Sequence, residues 1–247
     1  MTVPGNWFIS WFSSPYYHKL YFERNQKEAS TFIERLINRL QPATGSTVLE
    51  VACGRGIYSQ LLAAKGFDVT GIDISPESIA IAEESASEKI HFFQHDIRLP
   101  FRINYYDYAF SFFTSFGYFR TEREHYNAIR TIANALKPGG VLVLDFLNVH
   151  YAEDHLLHKT EKKLDDVTYY ITRWFDETHF YKKISIEDEQ LQAPQEFTEK
   201  IAKFTLGDFN DMFAFHYLQM QEVYGDYNFT PYDVKNSPRL IMIAKKK

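Results

Sequence analysis

The stretch that decides the fold runs from Thr47 to Ser75, TVLEVACGRGIYSQLLAAKGFDVTGIDIS. Val48, Leu49 and Val51 form a short apolar run between Gly45 and Gly54, the pattern of a strand buried on both faces of a parallel sheet. After a glycine-rich turn, Ile57, Leu61, Leu62 and Ala64 fall at helical spacing and Gly66 ends the helix. Val69 to Ile74 reads as a second strand, which makes the unit βαβ. Gly54 and Gly56 let the backbone approach a ligand closely, and the helix that follows offers unpaired N–H groups and the positive end of its dipole. Asp73, at the carboxyl end of the second strand, is placed to accept hydrogen bonds from ribose hydroxyls. Together these features point to a nucleoside ligand.

The details of the turn separate two ligand classes. Dinucleotide sites use G-x-G-x-x-G, whose third glycine lets helix and strand pack closely, but Ser59 stands at that position here. Glu50, just before the turn, would repel a pyrophosphate. It suits a cationic amino group instead, such as that of a methionyl moiety.

Length and composition bound the rest. A chain of 247 residues, 45% apolar, supports one domain with an insertion or a small cap. A net charge of -5 argues against a broad basic face for nucleic acid. The single cysteine, Cys53, excludes an internal disulfide and Cys-rich metal sites, fits a reducing compartment and reads as a small buried filler of the turn. Trp7 to Phe12 is apolar but far too short to span a membrane, and it has neither the basic flank nor the cleavage pattern of a leader. A cytoplasmic protein, monomeric or a homodimer, is expected.

Around the central unit, residues 1–44 read as an aromatic, turn-rich lead followed by a helix over Glu28 to Leu40. Tyr16, Tyr17, Tyr21 and Arg24 lie in the lead, and they either close over a ligand or cover the sheet edge. Ser75 and Pro76 start a helix running to about Ala86. Lys89 to His95 is a third strand, followed by Asp96, placed to accept from an adenine amine, and by Ile97, placed to pack on the ring. Glu50, Asp73 and Asp96 thus end three successive strands on one sheet edge. Tyr108 to Phe113 forms a fourth strand, and the loop Thr114-Ser115-Phe116-Gly117-Tyr118-Phe119 faces the reactive end of the ligand. Phe112, Phe116 and Tyr118 can present π-faces to a sulfonium or an amine. Thr121 to Leu136 reads as a helix, ended by Leu136-Lys137-Pro138-Gly139-Gly140, and Val141 to Asp145 as a fifth strand. Asn148, His150 and Tyr151 follow. From about Ala152 to Phe204 alternation replaces helical periodicity, indicating an antiparallel β insertion over residues 152–205. Leu206 to Gln219 reads as a helix, and two strands, about Met220 to Asp226 and Arg239 to Lys245, return to the core that begins at residue 45.

Glu-x-Ala-x-Gly-x-Gly, the Thr-Ser-Phe-Gly-Tyr-Phe loop, the Leu-Lys-Pro-Gly-Gly turn and the ending Ser-Pro-Arg-Leu-Ile-Met-Ile-Ala-Lys-Lys together resemble a class I S-adenosylmethionine-dependent methyltransferase of a small-molecule-type subgroup. The resemblance implies an α/β, Rossmann-like, seven-stranded and mostly parallel sheet with an antiparallel last strand. It places S-adenosyl-L-methionine across Gly54, Gly56, Asp73, Asp96 and Ile97, with Tyr17, Arg24, Glu50, Ala52, Ile74 and Phe113 as further cofactor candidates. Ala52 stands where many members carry glycine, which tightens the backbone's approach. Phe116, Tyr118, Tyr151 and Arg173 are substrate candidates, the insertion being the part that reads the acceptor. Arg173 and Arg239 match the subgroup, and Arg239 could equally pair with a sheet-edge carboxylate.

The expected reaction moves a methyl group from S-adenosylmethionine to an N or O atom of a small molecule, leaving S-adenosyl-L-homocysteine. Transfer from an activated sulfonium is an in-line displacement in which positioning supplies much of the rate, so no triad and no metal are required. Where the acceptor must lose a proton, Tyr118, His150 and Tyr151 are the candidate bases. The alternative is a catalytically silent member of the fold serving as a binding or regulatory subunit.

Overall fold

The computed structural model describes residues 7–21 and 26–247, and the backbone alone for 26–28. Strand β1 (Thr47–Val51) pairs in parallel with β2 (Asp68–Asp73) on one side and with β4 (Tyr106–Ser111) on the other. With β3 (Ile90–Gln94), β5 (Leu136–Leu147), β10 (Leu218–Tyr224) and β11 (Arg239–Lys246), they form a seven-stranded sheet in the order β10-β11-β5-β4-β1-β2-β3. β11 runs antiparallel to both β10 and β5, and the other pairings are parallel. The order reverses at β1, with β2 and β4 on either side, and in open α/β sheets such a switch point opens a crevice beyond the carboxyl strand ends.

Adjacent residues of β1 explain why the run is apolar without alternation. Leu49 packs into the core on the face covered by α6 (Glu122–Ala135) and α8 (Leu206–Phe215), whereas Val48 packs on the opposite face with α3 (Gln26–Leu40) and α4 (Ile57–Ala64). A strand buried on both faces has no solvent side on which to place polar residues. The caps follow the sequence. Ser75 accepts from the Ser78 amide at the start of α5 (Pro76–Glu83), and Thr121 with Glu124 closes a capping box on α6.

Gly56 is the N-cap of α4, with φ 75°, and a Cβ there would lie 2.5 Å from the Phe92 ring. Both the left-handed backbone and the contact oppose a side chain. Gly56→Ala is therefore expected to cost about 1–3 kcal/mol, read as a lower midpoint in urea at an unchanged slope.

Several boundaries differ from the sequence reading. The lead is helical where turns were expected: α1 (Trp7–Phe12) and α2 (Pro15–Tyr21) bury Trp7, Phe8, Trp11 and Leu20. Tertiary contact decides this, because those rings pack on the insertion. The insertion is a separate antiparallel sheet of β6 (Lys159–Leu164), β7 (Val167–Phe175), β8 (His179–Asp188) and β9 (Gln195–Ala202). Its inner face shares a core with α1 and α2 through Tyr169, Ile171, Ile184 and Ile186. Trp11 Nε1 donates to Glu199 at 2.7 Å, Tyr16 OH to Asp188 at 2.9 Å, and Lys19 pairs with Asp165 at 3.0 Å.

Helix α5 ends at Glu83, short of Ala86. Helix α8 stops at Phe215 instead of continuing to Gln219, because Tyr217 takes φ 60° and the chain turns directly into β10. Residues 149–154 form a short helix, α7 (Val149–Asp154), N-capped by Asn148, in a segment to which the sequence reading gave no element. Strand β5 begins at Leu136, and the Lys-Pro-Gly-Gly segment bulges out between the partners of Tyr106 and Tyr108. No helix among the described residues is long and apolar enough to cross a membrane.

Candidate functional site

A cavity of about 240 Å³ opens beyond β1, β2 and β4, walled by Glu50, Ala52, Gly54, Asp73 and Phe113 from the core and by Phe12, Tyr17, His18 and Tyr21 from the lead. A second cavity of about 550 Å³ continues from it and is roofed by the four-stranded sheet. Phe12, Tyr17, Tyr21, Ile57, Tyr58, Phe113 and Tyr118 line both, so the two meet at a ring-lined junction. The larger volume falls within the range of small-molecule sites, roughly 300–1,000 Å³.

The floor of the first cavity is the turn after β1. Ala52, Gly54 and Gly56 all take positive φ, at 58°, 54° and 75°. The left-handed value at Ala52 is the conformation that glycine accommodates without strain. A Cβ on Gly54 would meet no atom within 4 Å, so a side chain there would occupy ligand space instead of protein space. Asp73 is buried; its Oδ2 accepts from the Gly54 amide at 2.8 Å and its Oδ1 from the Ser75 amide at 2.9 Å. These bonds orient the carboxylate, while burial pushes its pKa up.

Glu50 is 3% exposed and accepts a hydrogen bond from the Ser59 hydroxyl. The serine that breaks the dinucleotide pattern therefore serves the carboxyl of Glu50. Desolvation raises that carboxyl to about 8, with the charge of Asp73 adding to the shift. A buried acid of this kind regains its charge when a cation arrives beside it. Cys53 is buried too, and desolvation raises its thiol well above the ordinary value, as suits a filler and not a nucleophile. His18 is held to about 4 by burial first and by Arg55 second, so it is neutral at pH 7.

At the junction, Phe113 and Thr114 both take left-handed φ, 54° and 58°. Asp145 pins this turn. It is fully buried, its Oδ2 accepts from the Phe113 amide at 2.8 Å and from Tyr227 OH at 3.0 Å, and its backbone carbonyl accepts from the Thr114 amide at 3.1 Å. Its Oδ1 accepts from Arg239 Nε at 2.8 Å, and Arg239 Nη2 donates to Thr114 Oγ1 at 2.9 Å. The pairing of Arg239 with a sheet-edge carboxylate is therefore what the fold contains.

Glu50, Ala52, Gly54, Asp73, Tyr17 and Phe113 thus share the first cavity, Tyr118 lies at the junction, and Arg173 lines the second cavity. Gly56 shapes the turn from behind. Arg24 lies outside the described residues. The other candidates are not brought to these two cavities. Asp96 lines neither cavity and is held on both oxygens by Arg98, the closest contact at 2.6 Å. Ile97 packs on the helix-covered core, and Ile74 on the lead's cluster.

Phe116 is corrected as a substrate contact: at 1% exposure it is a core ring against Phe119, His125, Phe204 and Phe209. His150 is exposed on α7, and Tyr151 stacks on His155 at 3.9 Å. The helix instead turns Ala152 to the second cavity, with Leu156 just beyond it, so neither His150 nor Tyr151 is placed to take a proton there.

The sequence reading missed His18, Phe12, Tyr58, Lys182 and Glu199, whose positions depend on how lead and insertion dock. Asp145 had a legible signal as a fourth acid near the carboxyl end of a core strand. Among the described residues, no group of three or more His, Cys, Asp or Glu is placed to hold a metal ion.

This geometry agrees with what the chain is similar to. Residues 48–140 match the sequence family described as methyltransferase domain. A ubiquinone biosynthesis O-methyltransferase of Xanthomonas axonopodis pv. citri is 31% identical over 123 residues, 47% of this chain and 48% of the relative. The chain matches about half the length of such curated relatives. Among solved structures, an S-adenosylmethionine-dependent methyltransferase from Clostridium acetobutylicum superposes with TM-score 0.77 at 20% identity, covering 94% of this chain and 96% of the other. The amino pentose methyltransferase CalS10 from Micromonospora echinaspora superposes with TM-score 0.70 at 18% identity, covering 95% and 98%. The fold is that of the class I S-adenosylmethionine-dependent methyltransferases. The part of the chain that the methyltransferase-domain family matches, residues 48–140, runs from β1 to the turn within β5.

Proposed function

We propose that the protein is an S-adenosylmethionine-dependent methyltransferase that acts on an N or O atom of a small molecule. The observation that carries this reading is the pair of joined cavities: one built from backbone donors and two buried carboxyls, the other roofed by the insertion, with rings where they meet. The donor set fits the cofactor. Asp73 offers carboxylate oxygens to ribose hydroxyls, Glu50 offers a counter-charge to the amino group, and the open side of Gly54 leaves room for the ligand's approach.

The bound cofactor supplies a methyl group on a positively charged sulfur. Phe113, Tyr58, Tyr17 and Tyr118 line the junction, where the face of an aromatic ring favours a cation. The same rings exclude water and fix the direction of approach, and such orientation accounts for much of the acceleration in a displacement of this kind. Of the three candidate bases, Tyr118 alone lines the junction, whose other hydroxyls belong to Tyr17, Tyr21 and Tyr58.

Titration calorimetry with S-adenosylmethionine and S-adenosylhomocysteine tests the reading, and absence of binding for both would overturn it. Asp73→Asn is expected to weaken either ligand by about 1–3 kcal/mol through poorer ribose hydrogen bonds, with the far-ultraviolet circular dichroism unchanged.

A further inference from the structure

From the walls of the second cavity we infer the class of acceptor: an uncharged aromatic molecule whose apolar body fills that cavity while its N or O nucleophile reaches the ring-lined junction. The inference rests on the proposed methyltransferase reading and adds the chemistry of the second cavity.

The charges in these walls are matched by the protein itself. On the insertion sheet Arg173 of β7 lies opposite Lys182 of β8, which lies opposite Glu199 of β9. Glu199 is buried and accepts from Trp11 Nε1 at 2.7 Å and from Tyr21 OH at 3.0 Å. Lys182 pairs with Glu199 at 3.4 Å, donates to Tyr21 OH and holds its ammonium 4.6 Å from the centre of the Tyr21 ring. Arg173 Nη1 donates to Thr160 Oγ1 at 2.9 Å and to the Leu157 carbonyl at 3.3 Å. On the core side, Arg239 is held by Asp145 and Thr114. A charged acceptor would lose its hydration here and meet groups whose partners the fold already supplies. It would either displace one of those partners or stay unmatched, and both are costly.

The rest of the lining is apolar. Next to the charged row, Phe180 of β8 and Ile201 of β9 lie opposite each other, and both line the cavity. Leu147 at the end of β5, Ala152 on α7 and Leu156 just beyond it add an aliphatic wall, and Phe113, Tyr58 and Tyr118 stand at the end shared with the first cavity. Apolar burial scales with the area covered, so such a lining favours a body that is itself apolar. The rings add a preference for an aromatic partner held edge to face or offset against them. Ala152 is a small residue that lines the second cavity and not the first, so its side chain sets the space left for the acceptor.

The test uses protein saturated with S-adenosylhomocysteine and a series of probes titrated by calorimetry. 2-Naphthol and 2-naphthylamine are the neutral aromatic probes, 6-hydroxy-2-naphthoate and protonated 2-naphthylmethylamine carry a charge on the same ring system, and methyl glucoside is neutral but rich in hydroxyls. At least one neutral aromatic probe is expected to bind about tenfold tighter than either charged probe or the glucoside. Ala152→Leu is expected to weaken that probe about tenfold by filling part of the second cavity, with the S-adenosylhomocysteine affinity kept within about twofold. The series on the parent protein decides the inference whether or not the variant folds. A charged probe or the glucoside binding as tightly as the neutral aromatics, no binding of either neutral aromatic, or unchanged affinity for it in a folded Ala152→Leu would each overturn the inference. Failure of S-adenosylhomocysteine itself to bind would strike the methyltransferase reading instead.

Discussion

Replacing Asp145 by alanine is expected to lower the stability of the protein by about 3–5 kcal/mol, the largest single effect of any substitution considered. The carboxylate is fully buried and accepts from Arg239, Tyr227 and the Phe113 amide. Removing it leaves the Arg239 guanidinium, whose side chain is 19% exposed, without its counter-charge in the wall of the second cavity. It also releases one of the bonds that hold the left-handed turn at Phe113 and Thr114. Urea denaturation measures the loss, and a change below about 1 kcal/mol would show that this network carries little. Asp145→Asn keeps the shape and some hydrogen bonds, so a smaller loss separates the contribution of the charge.

Glu50→Gln should divide stability from binding. A carboxyl held protonated to about 8 in the folded chain binds more protons than the same group unfolded. Its contribution to stability is therefore complete below the unfolded value and declines as pH rises from there through about 8. The glutamine variant has no such titration. It should gain thermal stability relative to the parent as pH increases over that window, with the difference greatest above pH 8. Binding should move the other way. S-adenosylmethionine brings a cationic amino group to an acid that must ionise to receive it, so association should release a proton near pH 7, and affinity should rise toward pH 8. Loss of the counter-charge is expected to weaken binding by about 1.5–3 kcal/mol. Calorimetry in two buffers of different ionisation enthalpy reads the proton directly. Binding heats that do not depend on the buffer would show that Glu50 does not titrate with the ligand.

The opening motif made the core legible because its information is local. The apolar run of β1, Gly54 and Gly56, and Asp73 six positions into β2 each act within a single βαβ unit. A doubly buried strand, a left-handed turn and a strand-end acid have few alternative explanations once they occur in that order. Ser59 was legible only as an exception to another motif. Its bond to Glu50 needs the first turn of α4 placed against the end of β1.

The misplaced residues share a different cause. Phe116 and Tyr118 stand two apart in one loop, yet one is core and the other lines the cavities, because a loop has no fixed period from which to read a facing direction. His150 and Tyr151 were chosen because they follow the end of the fifth strand, but they lie on the helix that Asn148 caps and line neither cavity. Asp96 differs from its two fellow acids in being paired with an arginine, Arg98, two residues on, a contact that the spacing of the strand ends does not reveal.

The sequence alone determined the parallel βαβ core, the nucleoside-type turn, the carboxyls Glu50 and Asp73 and the β character of the insertion, since each depends on residues a few positions apart. The tertiary structure decided the second cavity. Its walls come from the lead, the loop after β4, α7 and the insertion, segments far apart in the chain whose contacts are set by the shared burial of Trp11, Tyr169 and Ile184. Apolar burial has no direction of its own, so no pattern along the chain specifies which face of the four-stranded sheet covers the cavity, or that Arg173 and Lys182 are carried there with it.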